Sequence, residues 1–123
     1  MTSDKTILII DDDRNLRETL ALIFRRAGYC VLSATDIERA FLPLQNHPCD
    51  AVIFDFNNLD NLLKESLSKL HDFQPHLPIV VLTGAAPTEL SRVVEENPEL
   101  GFLEKPVDPL KILNFVADFI HKS

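Results

Sequence analysis

Ile7-Leu8-Ile9-Ile10-Asp11-Asp12-Asp13 is the stretch that decides the fold: four apolar residues that stop at three adjacent carboxylates. A short, continuous apolar run bounded this way reads as a strand covered on both faces, delivering charge to its C-terminal end. In an open parallel sheet that end is where ligands bind. Adjacent carboxylates repel, so the cluster is tolerable only in water or around a cation. Taken alone, the triplet is equally compatible with a solvated acidic turn that caps the next helix. The later strand ends decide between the two.

Working outward from residues 6–10, strand and helix patterns alternate five times, with no repeat, low-complexity tract or linker. Leu16, Leu20, Ile23, Phe24 and Ala27 recur at helical spacing, and Gly28 is placed to end that helix. A second strand is expected at residues 29–34. Asp36 can then cap a helix with Ala40, Phe41 and Leu44 on its apolar face. Pro43 falls inside that helix and removes a backbone donor, so the element should be kinked or short. Residues 51–54 and 79–82 are apolar without alternation, as strands covered on both faces are. Between them Leu59, Leu62, Leu63, Leu67 and Leu70 mark a third helix. A fourth helix over residues 88–96 must stop at Asn97-Pro98. A short strand at 101–103 precedes a fifth helix, with Asp108 as N-cap and Pro109 at the first helical position. Such alternation implies an α/β fold with helices on both faces of a parallel sheet. The economical solution is a single doubly wound (βα)5 domain over residues 1–123, with five strands in the flavodoxin-like order 2-1-3-4-5.

The composition bounds the function. At 123 residues the chain is one domain, long enough to bury about two thirds of its unfolded surface. No apolar run approaches the roughly 18 residues of a membrane span, and residues 1–5 show no signal-peptide pattern, so a cytoplasmic protein is expected. Cys30 and Cys49 lack metal-type spacing and read as reduced thiols, and the four histidines are scattered. With 12 basic against 19 acidic residues the net charge is −7, which argues against direct nucleic-acid binding by this chain.

Four of the five strand ends then deliver something reactive. The first gives Asp11 and Asp12, the third Asp55, the fourth Thr83 followed by Gly84 and Ala85, the fifth Lys105. All fall on one edge of a parallel sheet and can converge. Three carboxylates make a hard oxygen site suited to Mg2+. A carboxylate there is a plausible nucleophile for phosphoryl transfer, with an ammonium and a hydroxyl to stabilise charge on the transferred group. Singly these signals are weak, and Lys105 by itself would be read as a solvated lysine. Together they are strong.

At this point the chain resembles a response-regulator receiver domain, over essentially its whole length. The resemblance rests on Ile7 through Asp13, on Cys49-Asp50-Ala51-Val52-Ile53-Phe54-Asp55, on Val80-Val81-Leu82-Thr83-Gly84, and on Phe102-Leu103-Glu104-Lys105-Pro106. It implies a signalling switch of a two-component system, with Asp55 phosphorylated by a histidine kinase or a histidine phosphotransfer protein. It further implies Mg2+ held by Asp12, Asp55 and the backbone carbonyl of Asn57, with Asp11 acting through a metal-bound water. Lys105 would pair with the phosphoryl group, Thr83 would swing to meet it, and Phe102 would turn inward. The Lys105–Pro106 bond would be cis. The loop after Asp55 departs from the pattern: it reads Asn57-Asn58-Leu59-Asp60-Asn61, where the family usually has Met-Pro and a nearby glycine. Ile37 stands where a glycine is common. None of these departures touches Asp11, Asp12, Asp55, Thr83 or Lys105.

Output from such a domain would leave through the face formed by the fourth helix, fifth strand and fifth helix. In the fifth helix Leu110, Ile112, Leu113, Phe115, Val116, Ala117, Phe119 and Ile120 sweep an apolar arc of roughly 220°, where packing on one sheet face needs little more than about 100°. Ile112, Phe115 and Phe119 are therefore expected at the edge of the arc, partly exposed, as a contact for a second copy or an output partner. The alternative is that they tuck into the groove beside the fourth helix. Two other readings of function are weighed: a degenerate receiver acting as a phosphate-independent interaction module, and a haloacid-dehalogenase-type phosphatase using Asp11 as nucleophile and Asp13 as acid/base. The latter would leave Asp55 without a role and lacks a late acidic pair. A nucleotide- or flavin-binding module would need a glycine-rich loop where the three carboxylates stand. No output domain is expected within these 123 residues.

Overall fold

Strands that are apolar at every position need cover on both sides, and the computed structural model supplies it. It describes residues 5–56, 61–84 and 87–122, and the side chains of all of these except 61–63, 87 and 122. In chain order the elements are β1 (Thr6–Ile10), α1 (Arg14–Arg26), β2 (Cys30–Ala34), α2 (Ile37–Asn46), β3 (Ala51–Asp55), α3 (Asn61–Phe73), β4 (Ile79–Thr83), α4 (Pro87–Glu96), β5 (Gly101–Glu104) and α5 (Pro109–Lys122). The five strands form one parallel sheet in the order β2-β1-β3-β4-β5. The expected α/β class and strand order are what the chain adopts.

Alternate residues of the central strands feed two separate cores. Ile7, Ile9, Ala51, Ile53, Val80 and Leu82 pack with Leu20 and Phe24 of α1 and Ile112, Val116 and Ile120 of α5. Leu8, Ile10, Val52, Phe54, Ile79 and Val81 pack with residues of α2, α3 and α4, among them Leu44, Leu70 and Val93. Because both faces are dry, β1, β3 and β4 show no polar alternation.

The helix boundaries follow local chemistry. Asp13 caps α1, and its carboxylate accepts from the amides of Asn15 and Leu16. Gly28, at φ 98°, lets the chain turn out of that helix into β2. Asp36 caps α2, which is ten residues long and runs one turn past Pro43 before ending at His47. Pro43 does not end it, and its ten residues equal those of α4. Asp108 caps α5, receiving the amide of Leu110 at 2.8 Å. Gln74, after α3, reaches back 25 residues to Cys49. Its amide oxygen accepts from the Cys49 N–H at 3.1 Å and its NH2 donates to the Cys49 carbonyl at 2.7 Å, as a strand neighbour would. Both cysteines are free thiols; burial and Asp50 push the Cys49 thiol up to about 11, an inert side chain.

One expectation about α5 is corrected. Ile112 is fully buried, 0% exposed, at the centre of the stripe Ile112–Val116–Ile120 that faces the sheet. The width of an apolar arc does not say which residue lies on its axis, and here the axis passes through Ile112. Phe115 and Phe119 are half-buried on one flank, stacked with ring centroids 5.9 Å apart. Phe115 lies against β5: a Cβ on Gly101 would sit 2.8 Å from its Cε1. Among the described residues no helix is long and apolar enough to cross a membrane.

Candidate functional site

The parallel register brings the strand ends together. Ile10 lies opposite Phe54, so Asp11 and Asp55 leave neighbouring strands side by side. Asp55 in turn pairs with Leu82, and the Lys105 amide donates to the Thr83 carbonyl at 2.7 Å, which brings the β5 end to the same edge. The Lys105 ammonium donates to Asp55 Oδ1 at 2.6 Å, with side-chain exposures of 24% and 7%. The Lys105–Pro106 peptide is cis. Thr83 is completely buried, and Phe102 is half-buried against the core beneath α4. Gly84 is exposed, and a Cβ there would meet nothing within 4 Å among the described residues. Asn57 and Ala85 lie outside the described residues.

The three aspartates after β1 have separated in role. Asp13 is the helix cap, so the capping reading of the triplet holds for that residue. Its capping bonds also weigh against a free acid/base role for it. Asp12 is exposed. Asp11 is 2% exposed and held at every polar atom but one. Its N–H donates to the Ala34 carbonyl at 3.0 Å, its carbonyl accepts from Arg17 Nη1 at 2.9 Å, and its Oδ1 accepts from the Asp13 N–H at 2.9 Å. Oδ2 is buried with no hydrogen-bond partner among the described residues. Burial first, and then the Asp55 carboxylate beside it, push the Asp11 carboxyl from 3.8 up to about 6, against the lowering effect of the Asp13 amide.

A buried, unpartnered carboxylate oxygen beside a second carboxylate calls for a cation or a proton. Lys105 supplies one positive charge, on Asp55. The donor set is all oxygen, which suits Mg2+ rather than a softer metal. The chain presents a pair rather than a finished cage: among the described residues no three acidic, histidine or cysteine side chains gather as metal ligands. A cleft of about 630 Å3 opens over the pair, its lining including Asp12, Glu38, Glu65 and Lys69 as well as Asp11 and Asp55.

Sequence reasoning missed Arg17. A signal was available: the first turn of α1 contains no acidic residue, and Arg14 and Arg17 stand at the helix end whose dipole disfavours cations. A cation at that end is explained by a specific acceptor, here the Asp11 carbonyl.

A doubly wound sheet whose carboxyl edge carries paired aspartates and an aspartate–lysine ion pair defines a flavodoxin-like α/β domain with an anionic site at its topological switch point. The response regulator receiver domain model matches residues 7–117, and the chain belongs to that family: it is a receiver domain of two-component signalling systems. It is 31% identical over 117 residues to the sensory/regulatory protein RpfC of Xanthomonas campestris and 26% identical over 121 residues to the CAI-1 autoinducer sensor kinase/phosphatase CqsS of Vibrio cholerae. These matches cover 91% and 95% of this chain but 16% and 18% of those proteins, so the chain spans less than a fifth of their length. A solved CheY-like receiver domain from Methanospirillum hungatei is 28% identical with a TM-score of 0.81, covering 98% of this chain and 96% of that one.

Proposed function

We propose that this domain is a phosphorylation-dependent switch whose acceptor is Asp55. The observation that carries the reading is the Lys105–Asp55 ion pair set beside the unpartnered Oδ2 of Asp11. Asp55 lines the cleft with its charge already matched by an ammonium. A phosphoryl group arriving there would add charge and acceptor oxygens within reach of Lys105. Asp12 and Asp55 would hold Mg2+ through their carboxylates, with the Asn57 carbonyl as a further ligand and Asp11 acting through a metal-bound water. Bound Mg2+ would supply charge neutralisation for the incoming phosphoryl oxygens. The donor would be a phosphohistidine on a sensor histidine kinase or phosphotransfer protein, in the cytoplasm, and the domain would act as a switch rather than as a turnover enzyme.

Thr83 and Phe102 would report the event. Thr83 ends β4 next to the site, and Phe102 lies on the neighbouring strand, where Val81 pairs with it. A change in the Thr83 hydroxyl would be felt along β5 and thus at α4 and α5. The stacked Phe115–Phe119 pair is then the contact offered on α5 to a second copy or an output partner.

The test is intact mass after incubation with acetyl phosphate and Mg2+, run beside Asp55→Asn. One Mg2+-dependent phosphoryl adduct that vanishes in the variant is the expected result. No adduct and no Mg2+ binding would leave an interaction module without phosphorylation chemistry, and an adduct surviving in the variant would transfer the acceptor role to Asp11.

A further inference from the structure

We propose that Arg17 is a positioning residue for the cation site: its hydrogen bond to the Asp11 carbonyl fixes the turn that presents the Asp11 carboxylate. The inference rests on the reading that this edge binds Mg2+. Asp11 has four polar attachment points, and three are fixed by the chain itself: N–H to Ala34, carbonyl to Arg17, Oδ1 to Asp13. The fourth, Oδ2, is left for a ligand. Two of the three bonds depend on the path of the backbone between β1 and α1. The Asp13 amide reaches Asp11 Oδ1 only while residues 11–13 keep their tight turn, and the Arg17 side chain ties the Asp11 end of that turn to the body of α1. Asp13 secures the other end, capping the same helix and accepting the Arg17 amide at 2.9 Å. Arg17 therefore meets the turn twice, by its backbone at Asp13 and by its guanidinium at Asp11.

The helix itself gives a cation no favourable field at this end. Arg17 is half-buried and lies at the positive end of the α1 dipole. Groups that orient metal ligands from behind typically change affinity by about 10- to 100-fold when removed. With the carbonyl released, Asp11 can rotate its carboxylate and share the Asp13 amide between both oxygens, which removes the poised oxygen.

The experiment compares wild type, Arg17→Met and Arg17→Lys by calorimetric Mg2+ titration and by amide hydrogen exchange of Asp13 in metal-free protein. Met keeps the apolar stem without a donor, while Lys keeps charge and a donor. The expected result is a Mg2+ dissociation constant raised about tenfold in Arg17→Met, with faster Asp13 exchange, and substantial recovery of both in Arg17→Lys. A constant within about twofold of wild type in Arg17→Met overturns the proposal. So does weakened binding with Asp13 exchange unchanged, which would make the effect one of charge alone. If Arg17→Met does not fold, Arg17→Gln, a neutral donor, takes its place: wild-type affinity supports the hydrogen bond and a tenfold loss overturns it. Wild-type protein that binds no Mg2+ sinks the functional reading and this inference together, whereas wild-type binding with an indifferent Arg17→Met sinks only the inference.

Discussion

Lys105 gives its ammonium to Asp55 at 2.6 Å, while one strand away Oδ2 of Asp11 is buried with no hydrogen-bond partner among the described residues. The site is thus electrostatically lopsided: of two neighbouring carboxylates, Asp55 carries the lysine's hydrogen bond and Asp11 a buried oxygen without one. That imbalance favours a further cation, and it also makes the lysine a structural counter-charge in the metal-free domain.

Lys105→Met should therefore destabilise metal-free protein at pH 7.5. Removing one partner of a buried ion pair costs about 3–5 kcal/mol, and Lys105 is a quarter exposed, so a loss of about 1–3 kcal/mol is expected in urea denaturation. The loss should shrink at pH 5, where Asp11 takes up a proton. A variant as stable as wild type at pH 7.5 would show that the pair contributes nothing to folding.

Asp11 itself sets a pH dependence. Its carboxyl titrates at about 6 when folded and near 3.8 when unfolded, so between those values the folded state binds more protons. Its contribution to stability is then complete below about pH 4 and is lost as pH rises through 6. The full shift corresponds to roughly 3 kcal/mol as an upper figure. Asp36, held below its usual range first by the Arg39 amide, runs the other way and loses its contribution as pH falls. Comparing wild type with Asp11→Asn isolates the first effect. The variant should gain on wild type between pH 4 and pH 7 in metal-free denaturation curves, and parallel curves would refute the assignment.

What the sequence could and could not reveal follows from the range of the interactions. Continuous apolar strands ending in charge expose the parallel sheet and the reactive edge, because burial on two faces leaves no alternation to misread; the strand order came instead from choosing the economical doubly wound arrangement. Asp36 and Asp108 were legible as caps because capping is local, whereas the acidic triplet offered three candidate caps and only the structure singles out Asp13. Ile112 was misplaced because arc width carries no direction. The bonds of Arg17 to a carbonyl and of Gln74 to Cys49 involve backbone atoms, and the second spans 25 residues, so no side-chain pattern records them.

Gln74 offers a test of that long-range bond. Its amide donates and accepts at Cys49, whose side chain is buried at the entry to β3. Gln74→Ala leaves both Cys49 backbone groups short of a partner and should cost about 1–3 kcal/mol. Gln74→Glu keeps the acceptor but sets a carboxylate oxygen against the Cys49 carbonyl. It should be at least as damaging at pH 7.5 and should recover in acid, when the carboxyl can donate. Thermal unfolding of both variants at two pH values checks the order.

Gly101 is required by the Phe115 ring. A Cβ at that position would lie 2.8 Å from Phe115 Cε1 and 3.3 Å from Val80 Cγ2, contacts too short to hold without movement. Val80 belongs to a central strand and is fully buried, so it cannot give way. The ring can, since Phe115 is half-buried and stacks on Phe119 toward the outside of α5. Gly101→Ala should therefore push the ring outward and cost about 1–3 kcal/mol, the usual range for overpacking. Phe115→Leu, a smaller side chain, should lose stability by itself yet relieve the clash, so the double variant should be more stable than the sum of the two losses predicts. A double-mutant cycle in urea measures that coupling. Strict additivity would mean that the obstacle at Gly101 is the strand backbone or Val80, and that the α5 aromatic pair is seated independently of β5.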